Sequence, residues 1–290
     1  MSKKKSTKNS VIVILLVGVL YWGFHIFQNG SQGIFPENDT VTASTNKPLP
    51  EMAPTGNSVQ GLEIPKDTKN RNARLLKHTG YTVSYSAAWA QPYWSAWVLT
   101  GARTQGSAKR DNYKFSPDPL LPASQAVVTG DYAGSGYDRG HMCPAGDNKW
   151  NARAMEECFY LTNICPQKPN LNRGDWKELE DACRDWARAG YTLYIACGPL
   201  FTSAAPRHIG KQHKIAVPDG FYKVILRRKG NTQQALGFLY KNTSQNMPMG
   251  SHATSVDEVE RLTGFDFFSQ LPDDTEKKLE LSRSTAGWNM

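Results

Sequence analysis

The sequence predicts an α+β domain with a mainly antiparallel central sheet flanked by helices. Two observations lead there. Aromatic and β-branched runs recur between residues 81 and 240, each bounded by Gly, Pro, Asp or Ser. Segments of helical periodicity are fewer and fall between those runs without the strand–helix–strand rhythm of a parallel sheet.

The chain of 290 residues opens with Lys3, Lys4, Lys5 and Lys8, followed by the apolar run VIVILLVGVLYWGFHIF over residues 11–27. That length sits near the lower limit for a membrane-spanning helix and above a typical signal-peptide core. The preceding lysines hold the N-terminus in the cytoplasm, and Tyr21, Trp22, Phe24 and Phe27 crowd the far end as interfacial anchors do. Residues 1–28 are therefore expected to be an uncleaved signal-anchor, with a cleaved secretory signal as the rival reading. Either places the remainder outside the cytoplasm, periplasmic or extracellular. Residues 29–65, rich in Asn, Ser, Thr, Pro and Gly, are expected to be a flexible linker, and residues 66–290 the folded domain.

Within that domain, residues 81–85 (TVSY after Tyr81) and 96–100 (AWVLT) are expected strands, and residues 101–136 long loops. A further strand ends at His141. Residues 151–158 are an expected helix. Residues 175–188 set Trp176, Leu179, Cys183, Trp186 and Ala187 at helical spacing, with Gly190 as a stop. Residues 191–196 (YTLYIA) are an expected buried strand. Pro218-Asp219-Gly220 between residues 214–217 and 221–226 reads as a hairpin, and residues 234–240 as another strand. Ser255-Val256-Asp257-Glu258 is a capping box opening a helix that runs to about Thr263 and stops at Gly264.

A hydrophobic content of 39% and eight Trp supply ample material for a core. Setting aside the four lysines of the first ten residues halves the net charge of +8 to +4, so the rest is only mildly basic. That is compatible with a nucleic-acid partner without requiring one. The five cysteines, Cys143, Cys158, Cys165, Cys183 and Cys197, include no C-x-x-C pair. They read as small buried residues, with room for one or two disulfides outside the cytoplasm and at least one thiol left over.

Chemistry concentrates in three segments: Asp138-Arg139-Gly140-His141, Thr162-Asn163-Ile164-Cys165-Pro166-Gln167 and Leu171-Asn172-Arg173-Gly174-Asp175-Trp176, with Glu180 eight positions after Asn172. A base to deprotonate water, oxygen ligands for a divalent cation and guanidinium groups for phosphate are what phosphodiester cleavage requires. His141 is the base that can accept a proton near neutral pH. In an extended segment Arg139 and His141 point to the same side. No Gly-rich phosphate loop, H-E-x-x-H or G-x-S-x-G occurs, which disfavours nucleoside triphosphatase, zinc protease and α/β-hydrolase chemistry.

In this order and spacing the three segments resemble the DNA/RNA non-specific endonucleases with a ββα-metal site. Mitochondrial endonuclease G and the secreted bacterial sugar-non-specific nucleases belong to that family. Its pattern is D-R-G-H, then N-x-x-P-Q, then an asparagine, a Trp and a helical Glu. The resemblance extends more weakly from about residue 77 to 271.

It implies a ββα-metal fold and Mg²⁺-dependent hydrolysis of DNA and RNA, with Mn²⁺ as a possible substitute, giving 5′-phosphate and 3′-hydroxyl ends. It further implies His141 as general base, Asn172 as the single protein ligand of the metal, and Glu180 as the group that orients the metal's water. Arg139 is assigned to phosphate, as is Arg110, with Arg103 as a competitor. Asn163 is assigned either to the waters of the metal site or to the backbone near His141, and Gln167 to the same tasks or to loop amides. Against these stand structural readings: Asn172 as the N-cap of the following helix, Glu180 as an exposed helix acid, Arg139 as the ion-pair partner of Asp138, and Trp176 as core. Two other functions remain open to the sequence, an anchored protein that captures nucleic acid without cutting it and a phosphodiesterase of small phosphate esters.

Overall fold

The computed structural model describes residues 61–243 and 246–290. The expected signal-anchor and nearly all of the expected linker lie outside them. Among the described residues no helix is long and apolar enough to cross a membrane. Leu62, within the segment read as linker, is buried in the core.

A seven-stranded sheet forms the centre of the molecule. Its strands are β1 (Arg74–Lys77), β2 (Thr82–Ser86) and β3 (Gln91–Leu99), then β6 (Thr192–Leu200), β7 (Gly220–Lys229), β8 (Thr232–Lys241) and β9 (Ala253–Thr254). The order across it is β9-β8-β7-β6-β3-β2-β1, every pair antiparallel. β4 (Asp138–His141) and β5 (Ile164–Gln167) form a separate two-stranded antiparallel ribbon. The α+β class and antiparallel sheet expected from the sequence are what the chain adopts.

Local chemistry explains most boundaries. Helix α1 (Ala152–Glu157) starts where the Asn151 side chain accepts from the amides of Arg153 and Ala154 at 2.8 and 3.0 Å. The short α2 (Pro169–Arg173) opens with proline at its first position and is followed at once by α3 (Asp175–Arg188). Helix α4 (Val256–Thr263) is capped by Ser255 Oγ, which accepts from the Glu258 amide, and ends at Gly264. Helix α5 (Asp273–Glu280) follows Pro272.

The expected hairpin about Pro218-Asp219-Gly220 is not formed. Ile215–Ala216 pairs instead with His208–Ile209, while β7 turns back at Gly230-Asn231 to pair with β8 over its whole length. Gly230 sits at φ +56°, the left-handed conformation that such a two-residue turn demands. Strand β3 begins five residues before the expected start. Pro92 enters it opposite Tyr85, where the register with β2 shifts.

Side-chain alternation along β7 splits the core into two faces. Phe221, Lys223, Ile225 and Arg227 point to the side covered by α3, where Phe221 and Ile225 pack with Trp176, Leu179 and Cys183. Tyr222, Val224 and Leu226 point to the other side, packed with Val256 and Val259 of α4 and with Phe265, Phe267 and Phe268. All five cysteines are free and buried, and they lie in the first of these clusters, so the one or two disulfides allowed by the sequence do not form.

Candidate active site

A cleft of about 740 Å³ opens on the α3 side of the sheet. Strand β4 of the ribbon forms one wall and α2–α3 another, with the loop around residues 106–111 beside them. His141, Arg139, Arg110, Asn172 and Glu180 all line it, from four separate chain segments. Asn163 does not.

His141 ends β4 opposite Ile164. The ring is only 7% exposed and packs between Phe115 (centroids 5.2 Å apart) and Phe159 (5.0 Å, edge to face). Its Nε2 is buried without a hydrogen-bond partner. Burial, with a smaller push from the Arg110 guanidinium, lowers the imidazole to about 3. The ring is therefore neutral at any ordinary pH, the state a general base must occupy before it accepts a proton.

Its backbone is pinned on several sides. Trp176 Nε1 donates to the His141 carbonyl at 3.3 Å, giving this core residue a second task. Asn163 is fully buried and every bond it makes is internal. Its Oδ1 accepts from Ser95 Oγ and the Cys143 amide, and its Nδ2 donates to the carbonyls of Cys143 and Cys158, all at 2.9 Å. Of its two proposed tasks it performs the second, holding the chain just after His141. The direct site role expected for Asn163 is corrected on that ground: four internal hydrogen bonds leave nothing for the cleft.

Gly140 lies across the ribbon from Cys165, and a Cβ there would overlap the amide oxygen of Gln167. Gln167 is buried, and its own amide atoms have no hydrogen-bond partner. A side chain at the glycine of the D-R-G-H segment would therefore force the buried Gln167 side chain to move.

Asn172 lies within α2, and the N-cap of α3 is Gly174, so the capping role is excluded. Asn172 Nδ2 donates to Asp138 Oδ2 at 3.0 Å. Asp138 is itself gripped at both oxygens by Arg173, at 2.7 Å each. Burial opposes the charged form of Asp138, but the bonds from Arg173 and Asn172 prevail and hold it below the usual carboxylate range. The partner of Asp138 is therefore Arg173 and not its neighbour Arg139. With its nitrogen committed to Asp138, Asn172 keeps Oδ1 as the amide atom available to a cation. Glu180 lines the same cleft as a half-buried carboxylate, so the reading of it as an exposed acid fails. Burial pushes it up to about 7 against the pull of Lys223 and Arg184.

Arg139 is exposed and stands over the Phe115 ring at 4.6 Å. Arg110 reaches the cleft, whereas Arg103 turns away to the Val98 carbonyl (2.7 Å) and the Trp150 ring. Sequence reasoning missed Lys109, Lys149, Arg173, Lys177 and Arg184, which also line the cleft. The acids lining the cleft are Asp111, Asp138 and Glu180; Lys177 and Arg184 also pair with Asp181 and Asp147 outside it, which leaves a moderate basic excess at the opening. Arg173 stood beside Asn172 in a segment already singled out, but nothing in the spacing joined it to Asp138, 35 positions away.

Comparisons with known proteins bear on the family of the chain. A model of the family described as DNA/RNA non-specific endonuclease matches residues 59–274. Mitochondrial nuclease EXOG of Xenopus laevis is 35% identical over 213 residues, covering 68% of this chain and 59% of the frog protein. Mitochondrial endonuclease G of Bos taurus is 30% identical over 259 residues, covering 85% of each chain. Among solved structures, a chain of the EndoG/EndoGI complex superposes with a TM-score of 0.65 at 28% identity, over 68% of this chain and 86% of its own. The family model over residues 59–274 and a relative 30% identical over 85% of the chain lead to one conclusion: the chain belongs to the DNA/RNA non-specific endonuclease family.

Proposed function

We propose that this protein is a metal-dependent endonuclease that hydrolyses DNA and RNA without sequence preference. The observation that carries the reading is the convergence of a neutral His141 with Asn172, Glu180, Arg110 and Arg139 in one basic cleft. His141 takes the proton of the attacking water. Arg139 and Arg110 hold the phosphate, Arg139 with its plane steadied on Phe115. Asn172 Oδ1 would hold a Mg²⁺ ion, and Glu180 would order its hydration. Hard oxygen donors with few protein ligands suit a cation that dehydrates reluctantly. When bound, such an ion neutralises charge on the phosphate and on the leaving 3′ oxygen. Asp138 and Arg173 position the Asn172 amide.

We further propose that the apolar run of residues 11–27 anchors the chain with this domain outside the cytoplasm, a reading supported by the lysines before it and the aromatics at its end. Recovery of the protein in the soluble fraction, with a new N-terminus after Phe27, would instead identify a cleaved signal.

The deciding experiment incubates the purified protein with plasmid, single-stranded DNA and RNA in Mg²⁺, in Mn²⁺ and in excess chelator. Cleavage of all three polymers, abolished by chelator, is expected, and Asn172→Ala should shift the metal titration and the rate together. Tight binding without cleavage would indicate a capture protein, and turnover of small phosphate esters alone a phosphodiesterase.

A further inference from the structure

The face of the sheet opposite the cleft carries a second set of hard oxygen donors. Helix α4 supplies Asp257 and Glu260, and α5 supplies Glu280. One carboxylate oxygen of each lies within 4.8 Å of the others. Glu280 is 7% exposed, and its Oε1 is sealed from solvent without a hydrogen-bond partner. Glu276, one turn earlier on α5, also has a buried oxygen with no partner. Glu260 receives the Phe267 amide at 2.7 Å. Two bases of this face are engaged elsewhere, Arg261 with Glu258 at 2.7 Å and Lys66 with Asp266 at 3.3 Å, and no ion pair joins a base to Asp257, Glu260 or Glu280 among the described residues.

Carboxylates are rarely buried together without a counter-charge, because burial and mutual repulsion both penalise the ionised forms. Both effects act here. A bound cation would remove both penalties. The donor chemistry narrows its identity: Ca²⁺ accepts several carboxylate ligands in flexible geometry, whereas Mg²⁺ dehydrates reluctantly and keeps more of its water.

We propose that Asp257, Glu260 and Glu280 form a second divalent-cation site, suited to Ca²⁺ over Mg²⁺, that clasps α4 to α5. The site lies across the sheet from the cleft, because α4 covers the Tyr222–Val224–Leu226 side. It is independent of the nuclease reading.

The test uses the full chain, purified in mild detergent, carrying Asn172→Ala alone or combined with Glu280→Gln. Both proteins are stripped with chelator, then titrated with Ca²⁺ or Mg²⁺ near neutral pH by calorimetry and thermal melting. Any cation left in the cleft is common to both and cancels in the difference. The single variant should bind one more Ca²⁺ than the double and melt higher as Ca²⁺ rises, with a smaller response to Mg²⁺. Without metal the order should invert, since Glu280→Gln relieves repulsion. Asp257→Asn, at a half-buried position, repeats the comparison should Glu280→Gln fold poorly. Equal Ca²⁺ binding and equal melting shifts in the two proteins would overturn the proposal. A Glu280→Gln protein that is the more stable both with and without Ca²⁺ would do the same, and would identify the cluster as carboxyls sharing protons.

Discussion

The two faces of the central sheet are made by the same strands yet hold opposite contents. The α4 face is filled by Trp94, Tyr222, Val224, Leu226 and a phenylalanine cluster. The α3 face, which also holds the cleft of His141, buries Lys223 over the Trp97 and Trp176 rings, Arg227 over Trp288, and the Arg184–Asp147 pair. One face holds the fold together chiefly by buried apolar area, with its carboxylates confined to α4 and α5. The other fixes charged groups in place, and each of these must be matched by a partner because the surroundings are dry. Substitutions on the two faces should therefore fail differently.

The largest effect expected is on rate. His141→Ala should reduce cleavage by at least ~10²-fold, within the ~10²–10⁴ typical of positioned acid–base catalysis, with little change in DNA binding. A correctly folded variant that turns over near normally would remove His141 from the chemistry. Next comes the buried pair on the same face. Arg184→Met strands Asp147, 2% exposed, with only Trp97 Nε1 as a bonded partner at 3.0 Å. Breaking such a pair typically destabilises by about 3–5 kcal/mol, measurable by urea unfolding.

On the opposite face Leu226→Ala should destabilise by about 2–5 kcal/mol through a cavity while leaving the rate per folded molecule intact. A specific-activity loss there beyond the loss of folded protein would show that the faces are coupled. Glu180→Ala should be milder than His141→Ala in rate, about 10–100-fold, as expected for a group that acts through the water of a metal.

A pH slope should accompany these effects. His141 stays neutral in the folded state down to about 3, while an unfolded histidine takes up a proton below about 6.5. The unfolded state therefore binds the extra proton, and stability falls as pH drops through that window. His141→Gln should flatten the decline in melting temperature between pH 6 and 4, and an unchanged slope would contradict the burial of this ring.

What the sequence disclosed depended on the range over which each signal acts. Helix α3 was legible because five buried positions repeat at its period, and α4 because Ser255 and Gly264 bracket it. Helix α2 escaped notice because it is five residues long and carries no period. The hairpin was misplaced because Pro218-Asp219-Gly220 is a turn by composition, whereas the pairing is decided by the long facing runs of β7 and β8 around Gly230. In the cleft, the order of the three segments and their family resemblance pointed to His141, Asn172 and Glu180, which the fold brings to one opening. The tasks of Asn163, Trp176 and Arg173 are set by contacts between distant segments, which residue spacing does not encode.

The five thiols hold one more consequence. None is bridged, all are buried, and burial raises each above its ordinary range, Cys183 and Cys197 to about 12. Each is thus a poor nucleophile while the fold is closed and an ordinary one once it opens. An alkylating reagent then works as a clock on the molecule's breathing. Cys183 on α3, Cys165 on the ribbon and Cys197 on β6 would be modified at rates set by the opening of their own elements. The order in which mass spectrometry finds them labelled would rank the local stabilities of helix, ribbon and sheet.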